Sequence, residues 1–114
     1  MLKNKTKNRI IVEKIKFCRN SLSKAKGLMF SNEITNTALI FPYKKEKRIS
    51  LHMIFVFYPI DVIFLDKNRR IVELKESFRP FSFYISRKKA QYIIELPDGT
   101  TKRSHIEIGD LLEF

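Results

Sequence analysis

The sequence predicts one mainly β domain, in the form of a small closed or partly open β barrel with one or two short helices. Short runs rich in Ile, Val, Phe and Tyr recur along the chain, and groups of Pro, Gly, Asp and Asn separate them. The 114 residues provide one modest hydrophobic core and leave no room for a second domain. An α+β arrangement is the alternative to the barrel.

The first quarter of the chain combines a basic terminus with one strand. Residues 1–8 are polar and are predicted to form a basic flexible arm, ahead of a globular domain over residues 9–114. Residues 9–17 alternate apolar and basic side chains, which predicts a half-exposed strand. Potential N-cap side chains then predict a short helix over residues 20–28.

The middle of the chain holds its most apolar segment. A strand is predicted over residues 38–43, followed by a charged turn at residues 44–48. Residues 51–65 then contain almost no charge, although 31% of the chain is Asp, Glu, Lys or Arg. Pro59 lacks an amide donor, so we expect it to divide this run into two strands.

The second half is predicted to begin with a β-hairpin. Residues 66–69 provide turn chemistry, and residues 71–74 return as the partner of the strand over residues 60–65. Residues 78–89 mix aromatic and basic side chains without a clear period, which predicts a loop or short helix. A strand follows over residues 91–96.

The end of the chain is punctuated by two turns. Pro97, Asp98 and Gly99 predict the first turn, and residues 100–104 then predict a single helical turn. Gly109 and the Asp after it predict the second turn, before a closing strand.

Asp61 is the one carboxylate inside the apolar run, and it needs a physical explanation. Burying it without partners would cost several kcal/mol or force its protonation. It is therefore either a structural carboxylate that accepts backbone amides or pairs with an Arg, or a general base or ligand anchor in a pocket. The leading hypothesis is a non-enzymatic domain that binds a small ligand or a polymer near Asp61, His52 and Tyr58, with Glu95 as a further candidate ligand contact.

Glu95 is a second acid between apolar neighbours. If it faced Asp61 across the mouth of a barrel, the two could divide acid and base roles in a hydrolase. An outward-facing Glu95 on a half-exposed strand is the alternative. No nucleophile and base pattern and no metal signature accompany the two acids, so the hydrolase ranks last among the three hypotheses and a non-enzymatic domain is favoured.

The net charge of +11 suggests a nucleic-acid-binding function as another alternative. Residues 1–26 hold nine Lys or Arg and one Glu, an arrangement that attracts polyanions or simply keeps the chain in solution. In residues 78–89, aromatic rings could stack on bases while cations hold phosphates, or the rings could cap the core instead. The candidate contacts are Lys3, Lys5, Lys7, Arg9, Arg79, Arg87, Lys88 and Lys89.

Several classes of site and location are disfavoured. His52 and His105 stand 53 positions apart without other ligands at metal-binding spacing, and no Gly-rich phosphate loop occurs, so no metal and no cofactor are predicted. Cys18 is the one cysteine, which fits a reducing cytoplasm. No segment has the length and apolarity of a membrane span.

Five motifs together resemble the family catalogued as domain of unknown function 192, over about residues 9–114. They are Gly27-Leu28-Met29-Phe30, Ala38-Leu39-Ile40-Phe41, His52-Met53 leading to Pro59-Ile60-Asp61 and Phe64, the YIIELPDG run from Tyr92 to Gly99, and Ile108-Gly109-Asp110. The chain resembles the compact, mostly archaeal members. The resemblance implies a single β-rich domain with no established activity, so it transfers no catalytic residue. Many relatives have an aromatic residue where His52 stands, and the exported bacterial relatives have a leader that this sequence lacks, which again favours a cytoplasmic location.

Overall fold

The computed structural model describes residues 1–19, 35–53 and 56–114. The short helix predicted over residues 20–28 lies outside the described residues. The elements are β1 (Leu2–Asn4), β2 (Arg9–Val12), β3 (Lys14–Phe17), β4 (Thr37–Lys47), β5 (Ser50–His52), β6 (Ile60–Leu65), β7 (Ile71–Phe78), β8 (Phe83–Ile85), β9 (Ala90–Pro97), α1 (Thr100–Arg103) and β10 (Leu112–Glu113).

These strands form three sheets. The largest has the order β3-β4-β9-β6-β7, a second has the order β10-β1-β2, and β5 pairs with β8 in the third. The β3–β4 pair is parallel, and the other pairs of named strands are antiparallel. The prediction of a mainly β domain is confirmed. The described strands form open sheets rather than a closed barrel, so the α+β alternative fits the arrangement.

The five-stranded sheet packs apolar side chains on both faces. β6 lies between β9 and β7, and all six of its residues are buried because a hydrophobic core covers each face of the sheet. Strand alternation places Val62 and Phe64 in the first core, on one face, and Ile63 and Leu65 in the second core, on the other. Each such side chain contributes about 1.5–3 kcal/mol when fully buried. A strand buried on both faces has no solvent face, which explains why residues 60–65, the second part of the uncharged run, are apolar apart from Asp61.

The N-terminal residues differ from the predicted flexible arm. Residues 2–4 form β1, in which Leu2 and Asn4 are fully buried. The Asn4 side chain donates to Asp110 Oδ2 at 2.7 Å, and β1 pairs with β10 near the other end of the sequence. Since these partners are more than 100 residues away, local composition alone could not indicate them.

Two further segments have more strand than predicted. The charged turn expected at residues 44–48 lies mostly inside β4, which continues to Lys47 and pairs there with Ala90. Residues 78–89, expected to be a loop or short helix, contain β8. The exposed edge pairing of β5 with β8 accounts for the absence of a clear period in that stretch.

The predicted hairpin is confirmed as β6 and β7. Asp66 stabilises its turn through a single oxygen, because Oδ1 accepts the amides of Asn68 and Arg70 at 2.9 and 3.0 Å. The helical turn after Gly99 is also confirmed, as α1.

Candidate functional site

A β-bulge determines the surroundings of Asp61. Ile60 pairs with Phe78 and Val62 pairs with Lys75, so β7 places two residues opposite Asp61. One of these, Ser77, has φ of +47°, and its amide points away from the regular ladder. A bulge of this kind leaves a backbone donor that needs another acceptor.

Asp61 is that acceptor, and it joins the bulge to α1. Its Oδ1 accepts the amide of Ser77 at 3.0 Å, and its Oδ2 accepts the amide of Thr101 at 2.8 Å. The Thr101 amide is one of the first-turn N–H groups that have no partner within a helix. The side chain is only 1% exposed, so the carboxylate serves these two amides out of reach of bulk water. The interpretation of Asp61 as a structural carboxylate that accepts backbone amides matches this geometry.

The structure does not bring the predicted ligand residues together. Asp61 lies opposite Leu96, on the face of the sheet that carries the second core. Tyr58 is buried in the first core, on the other face. His52 is exposed on β5, opposite Phe83. A ligand contact through any of these three side chains stays a prediction.

Glu95 and Asp61 also lie on opposite faces of the sheet, in contrast with the facing pair that a hydrolase would need. Glu95 lies between its cross-strand neighbours Leu39 and Val62, which belong to the first core. Burial among these side chains raises the pKa of Glu95 from 4.5 to about 7. The half-buried carboxyl therefore changes protonation near neutral pH.

Two weaker acids on the same face respond to Glu95. Burial, and then the negative charge of Glu95, raises the pKa of Tyr43. Burial also raises the pKa of the Cys18 thiol. The positive charge of Lys16 partly offsets this rise, and the negative charge of Glu95 adds to it. The thiol is therefore held in its unreactive protonated form.

The predicted nucleic-acid contacts fall into two separate groups. The N-terminal bases lie on the sheet of β1 and β2, where Lys7 pairs with Glu107 and Asp110. The later bases lie around the ends of β7, β8 and β9, where Arg79, Arg87, Lys88 and Lys89 are all exposed. The first group is thus partly engaged in internal contacts, while the second presents charged side chains to solvent.

A cleft of about 520 Å³ opens between β2 and α1. This volume lies within the usual range of roughly 300–1,000 Å³ for small-molecule sites. The lining combines apolar and polar side chains: Ile11, Val12, Thr35, Asn36, Pro97, Asp98, Thr100, Arg103 and Ser104.

Arg103 is the principal cation of this cleft. Its Nη1 donates to the Asp98 carbonyl at 3.2 Å and its Nη2 donates to Thr100 Oγ1 at 3.3 Å. A guanidinium carries five N–H donors, so these contacts orient the group and leave donors for a ligand. Gly99, with φ of +84°, permits this geometry, because a Cβ there would lie 2.8 Å from Nη1.

Asn36 forms the opposite wall in a left-handed conformation, with φ of +46°. Its Oδ1 accepts the Glu13 amide at 3.1 Å, and its carbonyl accepts the Lys14 amide at 3.2 Å. These bonds fix the wall at the entry to β3 and β4. The other wall is α1, which Asp61 positions by accepting the amide of Thr101. Asp61 itself is not among the residues that line the cleft.

Sequence analysis missed the cleft residues, with the exception of the Pro97–Gly99 turn. Arg103 and Asn36 are 67 positions apart in unremarkable polar stretches, and only the fold brings them to one cleft. Sequence analysis also missed Glu73, which is buried in β7. Its position between Val72 and Leu74 in a predicted strand was the available signal.

Within residues 1–19, 35–53 and 56–114, no three His, Cys, Asp or Glu side chains converge as metal ligands. Across the same part of the chain, no helix has the length and apolarity to cross a membrane.

Comparisons with known proteins agree on one family. The model of the domain of unknown function 192 family, described as Uncharacterized ACR, matches residues 2–114. A UPF0127 protein of Thermococcus sibiricus is 40% identical over 116 residues, covering 100% of this chain and 74% of its own length. A UPF0127 protein of Pyrococcus furiosus is 33% identical over 111 residues, covering 97% of this chain and 95% of its own length.

A solved structure has a similar fold. The crystal structure of a protein of unknown function from Novosphingobium aromaticivorans superimposes with a TM-score of 0.82 at 25% identity, covering 88% of this chain and 74% of the other. The similarity therefore extends over most of the β architecture described above. The chain belongs to the domain of unknown function 192 family.

Proposed function

We propose that this domain binds a small organic anion in the cleft between β2 and α1. The observation that carries the proposal is the oriented Arg103 guanidinium beside an apolar floor of Ile11, Val12 and Pro97. Ligand sites typically combine an apolar enclosure with a few fixed polar groups. A carboxylate bound to the free guanidinium donors, with its hydrocarbon part on the floor, satisfies both features.

Asp61 has an indirect role in this proposal. It holds α1 through the Thr101 amide, and α1 carries Thr100 and Arg103 into the cleft. In this proposal Asp61 does not contact the ligand. It positions α1, whose side chains make the contact. Cys18 is buried and is the one cysteine of the sequence, so a reducing, cytoplasmic location belongs to the same proposal.

The test is thermal melting in the presence of hexanoate, benzoate and phenylacetate. We expect at least one of these carboxylates to raise the melting temperature with a saturating dose response. Arg103→Ala should weaken this binding about 10-fold or more, because it removes charge-assisted hydrogen bonds worth about 1.5–3 kcal/mol. Lys102→Ala is the matched control, since Lys102 is the adjacent exposed cation on α1 and does not line the cleft.

Equal loss of binding in the two variants would refute the cleft as the binding site, because it would show a response to net charge alone. Absence of any saturable stabilisation of the parent protein by all three carboxylates would also count against an anion site.

A further inference from the structure

A group of large apolar side chains is exposed around the β5–β8 sheet, away from the cleft. Phe83 is 72% exposed, Phe57 is 63% exposed, Ile85 is 59% exposed and Phe81 is 53% exposed. Scattered single apolar residues are normal on a protein surface, but a cluster that includes three aromatic rings indicates an interaction site. This group is called the aromatic face below.

Local structure holds these rings outward. In β8 the alternation turns Tyr84 inward, where its ring lies 5.9 Å from the ring of Phe64, and turns Phe83 and Ile85 outward. Phe81 adopts φ of +58°, and its amide donates to the Met53 carbonyl at 2.7 Å. The rings are thus presented by a hydrogen-bonded backbone.

Two of the exposed rings are in direct contact, and the third shares a strand pair with His52. The Phe57 and Phe81 rings meet edge to face, with centroids 5.4 Å apart. Phe83 lies directly opposite His52 in the β5–β8 pair, so their side chains share one face.

The segments that carry and flank the aromatic face are rich in basic residues. Residues 44–57 and 75–89 hold nine Lys or Arg and two Glu. Arg87 and Lys88 lie in the loop after β8, and their backbone amides both donate to Glu73 Oε1 at 2.8 Å. Glu73 is buried, so it fixes the loop from below while both basic side chains stay exposed.

The charge identifies the kind of partner. Nine bases against two acids give these segments a net charge of +7, so a symmetric contact with a second copy would bring two strongly positive surfaces together. A polyanion has the opposite charge, and unpaired nucleobases stack on exposed aromatic rings. We propose that the aromatic face and its surrounding bases bind single-stranded nucleic acid, independently of the cleft.

The experiment is fluorescence anisotropy of the full chain with a labelled 12-nucleotide oligouridine and a duplex of the same length, in about 50 to 200 mM salt. We expect the single strand to bind more tightly than the duplex. Phe83→Ala should weaken single-strand binding about fivefold or more through lost stacking. Phe83→Trp should retain it, and Ile108→Ala, at a residue that is 65% exposed elsewhere on the surface, should leave it unchanged.

A pair of double variants separates the aromatic face from general electrostatic attraction. Replacing Arg87 and Lys88 with Ala should lower the salt slope by about 1.4, or roughly 0.7 for each phosphate contact to a single strand. Replacing Lys5 and Arg9 with Ala removes the same charge from the N-terminal sheet and should change affinity less than twofold.

Four results would overturn the proposal. Equal effects of the two double variants, or equal affinity for the duplex, would show unspecific attraction to polyanions. Binding to phosphatidylserine vesicles that depends on Phe83, without RNA binding, would assign the face to a membrane surface. Conversion of a dimer to a monomer by Phe83→Ala, without RNA binding, would assign it to a second copy.

Discussion

Replacing Asp61 with Asn tests whether this carboxylate supports the fold by accepting two amides. Asp61 uses both oxygens, one for Ser77 and one for Thr101. An Asn side chain keeps one acceptor oxygen and directs an NH₂ group at the other amide. One charge-assisted hydrogen bond is lost and two donors then face each other in a buried site.

The expected cost follows from these contacts. A hydrogen bond to a charged group contributes about 1.5–3 kcal/mol, and a buried donor without a partner costs about 1–3 kcal/mol. The side chain is 1% exposed, so water cannot replace the lost acceptor. We therefore expect Asp61→Asn to lower the free energy of unfolding by about 3 kcal/mol, which corresponds to roughly 12 °C in melting temperature.

Asp66 provides a matched control for this measurement. Its two backbone bonds both end on Oδ1, so an Asn at position 66 can keep both of them. Urea unfolding of the two variants should show a midpoint lowered by about 1–2 M for Asp61→Asn and a change of less than about 0.5 kcal/mol for Asp66→Asn. If both substitutions cost the same, the argument from the number of engaged oxygens is refuted.

Three further substitutions, the last with a matched control, test other parts of the structure. Glu95→Gln should remove a pH dependence of stability. Burial raises the folded-state pKa of Glu95 to about 7, so the unfolding free energy of the wild type should fall as the pH rises from 4.5 through 7, by up to about 3 kcal/mol. Urea unfolding should therefore show the unfolding free energy of the Gln variant rising relative to that of the wild type over this range. An unchanged difference between pH 5 and pH 8 would contradict this. Thr101→Val should raise the unfolding free energy by about 1 kcal/mol, since Thr101 Oγ1 is buried without a hydrogen-bond partner among the described residues. A lower melting temperature in the Val variant would show that the hydroxyl is bonded. Gly99→Ala should lower the unfolding free energy by about 1–2 kcal/mol because of the positive φ, and should weaken carboxylate binding because the added Cβ displaces Arg103. Gly109→Ala is the control: with φ of +96° and open space around it, it should lower stability by a similar amount without affecting binding.

The fold was predictable where it depends on local patterns. The β6–β7 hairpin follows from an apolar run, turn residues around Asp66 and a returning strand. The strand β1, within the polar residues 1–8, was not predictable. Its partner strand β10 and the Asn4–Asp110 hydrogen bond join the two ends of the chain. Local composition favours disorder in a polar terminus, and only the distant pairing reverses it.

The site was predictable to a smaller extent. The apolar surroundings of Asp61 correctly indicated that its oxygens needed partners, but the bulge at Ser77 that provides one of them depends on the register between two strands. The opposite orientations of Asp61 and Glu95 likewise follow from the β6–β9 register. Arg103 lies in a polar stretch whose composition is ordinary, so its place in the cleft required the structure.

Chemical-shift mapping tests the cleft proposal most directly. In a titration of ¹⁵N-labelled protein with whichever of the three carboxylates gives the largest rise in melting temperature, we expect saturable shifts at the amides of Val12, Asn36, Asp98 and Ser104, and their loss in Arg103→Ala. Shifts that instead centre on Phe83 and the loop after β8, or that never saturate, would contradict binding in the cleft.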